Sequence, residues 1–149
     1  MKKILSKLVI GDVVYKQSVR APFDEVLKVL EKSIKANDFS ISVIHDMKKT
    51  FEKVRLPLED NFQYKIVQLC NAEKAHKVLT TISYDMGIMM PKAITVAQEG
   101  DKVVLRFMQM KPWMAGMMFP QVDITPVSRG VMNIMKKIVK QTILELEKV

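Results

Sequence analysis

The stretch Ala93-Ile94-Thr95-Val96-Ala97-Gln98-Glu99-Gly100-Asp101-Lys102-Val103-Val104-Leu105-Arg106-Phe107-Met108 decides the fold. Two runs rich in β-branched and apolar residues flank a short polar turn that contains a glycine, the pattern of an antiparallel hairpin. Upstream, Phe62 to Cys70 and Val13 to Val19 are further strands by the same composition. Phe39, Ile41 and Val43 alternate with Ser40 and Ser42, which predicts a strand with one wet face that His45-Asp46 ends. Between these strands, Pro22 suits the first turn of a helix. Phe23, Val26, Leu27, Leu30 and Ile34 then recur at helical spacing, and Asn37-Asp38 can take the left-handed conformation that closes it. Met47 to Val54 reads as a short helix stopped by Pro57. Asn71 stands where an N-cap is wanted, ahead of Ala75, Val78, Leu79 and Ile82.

Downstream of the hairpin, Pro112, Gly116, Pro120 and Pro126 predict a loop over residues 109–128 with no more than a short turn or strand. An amphipathic helix then runs from about Gly130 to Val149, with Val131, Met135, Ile138, Val139, Thr142 and Leu146 on one face. Many strands and few crossover helices indicate an α+β fold: an antiparallel sheet with helices packed on one face and a long C-terminal helix. No linker or repeat divides residues 1–149, so a single domain is expected.

Composition narrows the function classes. The chain has 149 residues, of which 48% are hydrophobic, enough for a core without disulfides or structural metal. One cysteine, Cys70, excludes an internal disulfide and a multi-thiolate zinc site within the chain. The net charge of +8 invites a nucleic-acid reading, yet the lysines are scattered. Their tightest cluster, Lys136, Lys137 and Lys140, lies on the solvated side of the last helix, so nucleic acid is not an expected partner. Near the N-terminus Lys7 and Asp12 interrupt the apolar run a signal peptide needs. No run approaches the roughly 20 apolar residues of a membrane span. A soluble, cytoplasmic protein is expected.

At Asp38-Phe39, Leu69-Cys70-Asn71, Ala75 and Met90-Pro91 the chain resembles domain-of-unknown-function family 302. In that family a Gly-Phe-like step leads from a helix into a strand. A later strand ends in Cys-Asn before a helix, and a Leu-Leu-Pro-Cys-like stretch precedes a hairpin with a turn glycine. The resemblance spans about residues 13–148 and implies a TBP-like, helix-grip α+β fold, without an established activity. This chain departs from the pattern in having Asp38 for the glycine, Ala72 for a proline after Asn71, and Lys92 for the cysteine after Pro91.

Two constellations could carry function. Eight of the twelve methionines lie between Met86 and Met118. Methionine is flexible and polarizable and lines sites that adapt to varied apolar partners. Together with Trp113 and Phe119 they suggest a non-enzymatic binding module whose Met-rich loop closes an apolar cleft. Met90, Met110, Trp113, Met114, Met117 and Phe119 are the expected lining. The occupant would be a small apolar or amphipathic ligand, a partner chain or a second copy in a homodimer, and weak contact with a membrane surface is compatible. The alternative centres on Cys70, beside Asn71 and a helix N-terminus that lowers a thiol pKa, with His76 six residues on. That reading is a thiol-dependent redox or soft-metal protein, although no Met-x-Met-x-Met or Met/His array provides a metal site. No catalytic residues and no particular cofactor follow from the sequence.

Overall fold

The structure, a computed structural model, describes Met1, Lys2, Ile4 and residues 11–148. Lys7, expected to break an apolar N-terminal run, and Val149, the expected end of the last helix, lie outside the described residues. Five strands form one sheet: β1 (Val14–Val19), β2 (Ser40–Asp46), β3 (Tyr64–Cys70), β4 (Lys92–Glu99) and β5 (Lys102–Met108). Their spatial order is β1-β5-β4-β3-β2, and every neighbouring pair is antiparallel. The helices are α1 (Phe23–Ala36), α2 (Met47–Lys53), α3 (Ala72–Thr81), α4 (Pro112–Met118) and α5 (Thr125–Glu147), with a 3-10 helix at Tyr84–Met89. No helix among the described residues is long and apolar enough to cross a membrane.

The main core forms because one face of the sheet and two helical stripes have no other place to be dry. Val67 and Leu69, Ile94 and Val96, and Val103, Leu105 and Phe107 project from the three central strands into one cluster. The stripe Phe23, Val26, Leu27, Leu30 and Ile34 of α1 meets it, as does Met132, Met135, Ile138, Val139, Ile143 and Leu146 of α5. One hydroxyl bond joins the two helices, and a second lies within α5. Ser33 Oγ donates to the Ile138 carbonyl across the helix pair at 3.0 Å, and Thr142 Oγ1 donates to the same oxygen at 2.9 Å.

Helix α1 ends as its sequence predicts. Asp38 sits at φ 63, Phe39 N–H donates to the Ile34 carbonyl and Asp38 N–H to the Lys35 carbonyl, both at 3.2 Å. This doubly bonded terminus brings Phe39 back onto Ile34 in the core. Asp38 supplies the left-handed residue that a glycine would supply at lower steric cost.

Three expectations need correction. The alternation through Val43 fails because Ser42 is an extra residue: Ile41 pairs with Leu69 but Val43 with Gln68. That bulge turns Val43 outward, and the strand ends at Asp46 as its sequence indicates. The segment 109–128 is not a loop throughout. Pro112 starts α4 at its first position, where a missing N–H costs nothing. The last helix begins at Thr125 rather than near Gly130, since Pro126 sits in its first turn, and Asp123 Oδ1 accepts the Thr125 N–H at 3.2 Å.

The face of the sheet opposite α1 and α5 carries Thr95, which pairs with Ile66 and Arg106. Its Oγ1 is buried without a hydrogen-bond partner among the described residues. An unsatisfied hydroxyl costs about 1–3 kcal/mol, whereas a satisfied one contributes about 1 kcal/mol. Thr95→Val is therefore expected to raise, and Ser33→Ala to lower, the unfolding free energy by about 1 kcal/mol each. Urea midpoints at constant m-value measure both, and a loss of stability in Thr95→Val would contradict the assignment.

Candidate functional site

The Met-rich segment builds a second, smaller core at one end of the sheet. Val78 of α3, Met86 of the 3-10 helix, Ala115 of α4, Phe119 and Ile124 are its buried members. Met89, Met90 and Met110 pack against it from partly buried positions, with Ile82, Val122 and Val127. Local sequence explains the arrangement. Ser83 Oγ accepts the Asp85 N–H at 3.1 Å and starts the 3-10 turn that swings Met86 inward. Pro112 starts α4, and Ala115 and Phe119, four residues apart, share its buried side.

Each residue expected to line the site can now be placed. Phe119 is inside the second core; Met90 and Met110 edge it. Met114 is half-buried, while Trp113 and Met117, also four residues apart on α4, face solvent. The segment therefore both fills a core and presents an apolar outer surface. Tyr84, Ile88 and Met118 are exposed as well. Tyr84 and Ile88 escape sequence reading because a six-residue 3-10 helix is too short to display a period.

Cys70 closes β3 as a half-buried free thiol. Its carbonyl accepts Ser40 Oγ at 3.1 Å across the strand pair. Asn71 caps α3 as expected: its Oδ1 accepts the Lys74 N–H at 2.9 Å, and its Nδ2 donates to the Asp38 carbonyl at 2.9 Å. The same side chain thus starts α3 and ties it to the end of α1. His76 faces solvent on α3, and no hydrogen bond joins it to Cys70 among the described residues. Groups of three or more His, Cys, Asp or Glu able to hold a metal ion are absent among the described residues.

Lys92 begins β4, where it pairs with Leu69, the residue before Cys70. Burial pushes its ammonium below the ordinary lysine range. On the opposite face, Arg106 and Glu99 form an ion pair and hydrogen bond that holds the Glu99 carboxyl low and the Arg106 guanidinium high.

The sequence profile described as "Domain of unknown function DUF302" matches residues 15–142. A solved structure, the crystal structure of the uncharacterized conserved protein DUF302 from Bacillus stearothermophilus, superposes with a TM-score of 0.75 at 18% sequence identity. The match covers 87% of this chain and 98% of that one, and at this identity it shows the shared fold alone. No curated protein matches the chain.

Two outcomes test the local chemistry. Asn71→Ala removes a helix cap and the tie to Asp38, so it should cost about 1–2 kcal/mol of unfolding free energy in urea titrations. Lys92→Met should raise the melting temperature at pH 7. The lowered folded pKa means that the native state of the parent is penalised while the unfolded lysine holds its proton. Stability is lost as pH falls through the folded pKa and recovered as pH rises towards the unfolded value of about 10.4. The advantage of Lys92→Met should therefore shrink between neutral pH and about pH 10.4. An advantage independent of pH would assign it to packing alone.

Proposed function

The chain belongs to the DUF302 family, and on its geometry we propose that it is a non-enzymatic binding module for a small apolar or amphipathic ligand, held at the Met-rich end of the fold. The observation that carries this reading is the surface left outside the second core. With Ala115 and Phe119 already buried, α4 still exposes Trp113 at 44% and Met117 at 73%, and the 3-10 helix exposes Tyr84 at 83% and Ile88 at 76%. Large apolar side chains left exposed on elements that share one small core favour a contact surface. Methionine suits such a surface because its unbranched thioether adapts to differing shapes with little strain. Self-association through the same patch is an allied form of the proposal. A cytoplasmic setting suits a chain with one unpaired thiol.

Trp113 is the sole tryptophan and lies within this surface, so it reports on it directly. Titration with N-phenyl-1-naphthylamine, an uncharged apolar fluorophore, should quench Trp113 emission saturably and shift the probe to the blue. Met117→Lys should weaken that binding about tenfold or more, which corresponds to about 1.4 kcal/mol, with the melting temperature unchanged. Cys70→Ser should leave it intact. A titration that does not saturate, or one abolished by Cys70→Ser, would refute the proposal.

A further inference from the structure

A cleft of about 440 Å³ opens where the chain leaves β5 and passes under the first half of α5. Its volume falls within the roughly 300–1,000 Å³ of small-molecule sites. Its lining is mixed: Gln109 and Asn133 contribute polar groups, and Met110 and Met132 soft apolar surface. Met110 packs against the second core and Met132 belongs to the main one, so the cleft sits on the seam between the two hydrophobic clusters. The rim is basic: Lys111 stands on the strand side, Arg129 and Lys136 on the helix side. Arg129, Met132 and Lys136 are spaced at three, four and seven residues, which places them on one face of α5.

The cations are not there to balance a carboxylate. Asp12 is the one acidic residue lining the cleft among the described residues. Its Oδ1 accepts the Val14 N–H at 3.1 Å, and Gln109 Nε2 donates to its backbone carbonyl at 2.6 Å. None of Lys111, Arg129 and Lys136 has a carboxylate within 4.0 Å among the described residues. Lys111 is held close to the backbone of Gly11, whose φ is +76; a Cβ there would meet Lys111 Cε at 3.0 Å. Lys136 Nζ lies 5.8 Å from the centroid of the Tyr15 ring, a cation–π contact.

We infer that this cleft binds an amphipathic carboxylate: the anionic head on Lys111 and Arg129, with Lys136 adding charge, and the apolar body on Met110 and Met132. The inference goes beyond the binding-module reading: Trp113, Met117, Tyr84 and Ile88 do not line this cleft, which adjoins the Met-rich end through Met110 and adds a second, charged binding position there.

Isothermal titration with sodium octanoate, compared with 1-octanol at the same low ionic strength, tests the assignment. Octanoate should bind saturably at one site per chain and at least tenfold more tightly than octanol. The exposed-residue variant Lys111→Gln/Arg129→Gln should lose that tenfold preference while it keeps the parent's melting temperature and its affinity for N-phenyl-1-naphthylamine. Equal affinity for octanoate and octanol, or unchanged octanoate binding in the double variant, would overturn the basic head-group site and leave the apolar-ligand reading standing. Absence of octanoate binding with the uncharged fluorophore still bound would do the same. Loss of every probe, the fluorophore included, would remove both.

Discussion

One constraint organises the molecule: a five-stranded sheet has a dry face wide enough to need two helices, and only α1 and α5 are long enough to supply them. The register of β3, β4 and β5 aligns Val67, Ile94, Val96, Leu105 and Val103 beneath those helices. The Ser33 hydroxyl of α1 bonds the Ile138 carbonyl of α5 and fixes how the pair lies. Burial of this area drives folding, and the directional bonds select one arrangement from the many that would bury similar area.

The Met-rich end follows from a mismatch of lengths. A 23-residue helix is about 34 Å long, whereas strands of seven residues span about 23 Å. Helix α5 therefore overshoots the sheet. Its last four turns lie on the main core, while Val127 in its first turn, with Ile124 just before it, belongs to the second cluster. That overhang needs a cover, and α4, α3 and the 3-10 helix provide it. The seam between the clusters is thus built into the topology, and Met110 and Met132 lie along it because an unbranched side chain can fill a junction between two independently packed groups.

How much of this could be read from the sequence depended on how local the cause was. The stripe of α1 and its Asn37-Asp38 terminus, the cap at Asn71 and the hairpin around Gly100 are set by residues within a few positions of one another, and each was legible. The bulge at Ser42 was not, because it depends on what Gln68 and Leu69 do across the sheet. Prolines misled for a related reason. Pro112 and Pro126 punctuate a sequence in either case, and only the surrounding packing decides whether they break a helix or begin one. The Met-rich segment was legible as a location. That its residues would divide between a second core and an outer surface was not, since methionine is at home in both.

The same logic explains why the basic residues resisted a sequence-level reading. Counted along the chain, Lys111 is far from Arg129 and Lys136, and all three look like ordinary solvated charge. The overhang of α5 brings the exit of β5 against the helix face that carries the other two, so three dispersed cations come to share one cleft. Net charge measures neither of the facts that matter there: that the local carboxylate, Asp12, accepts a hydrogen bond from the backbone N–H of Val14, and that Met110 and Met132 lie beside the charges. A cation over water attracts any anion weakly. Cations at the rim of an apolar seam favour an anion that carries an apolar body, because the two contacts are made at once and the ordering cost is met only once.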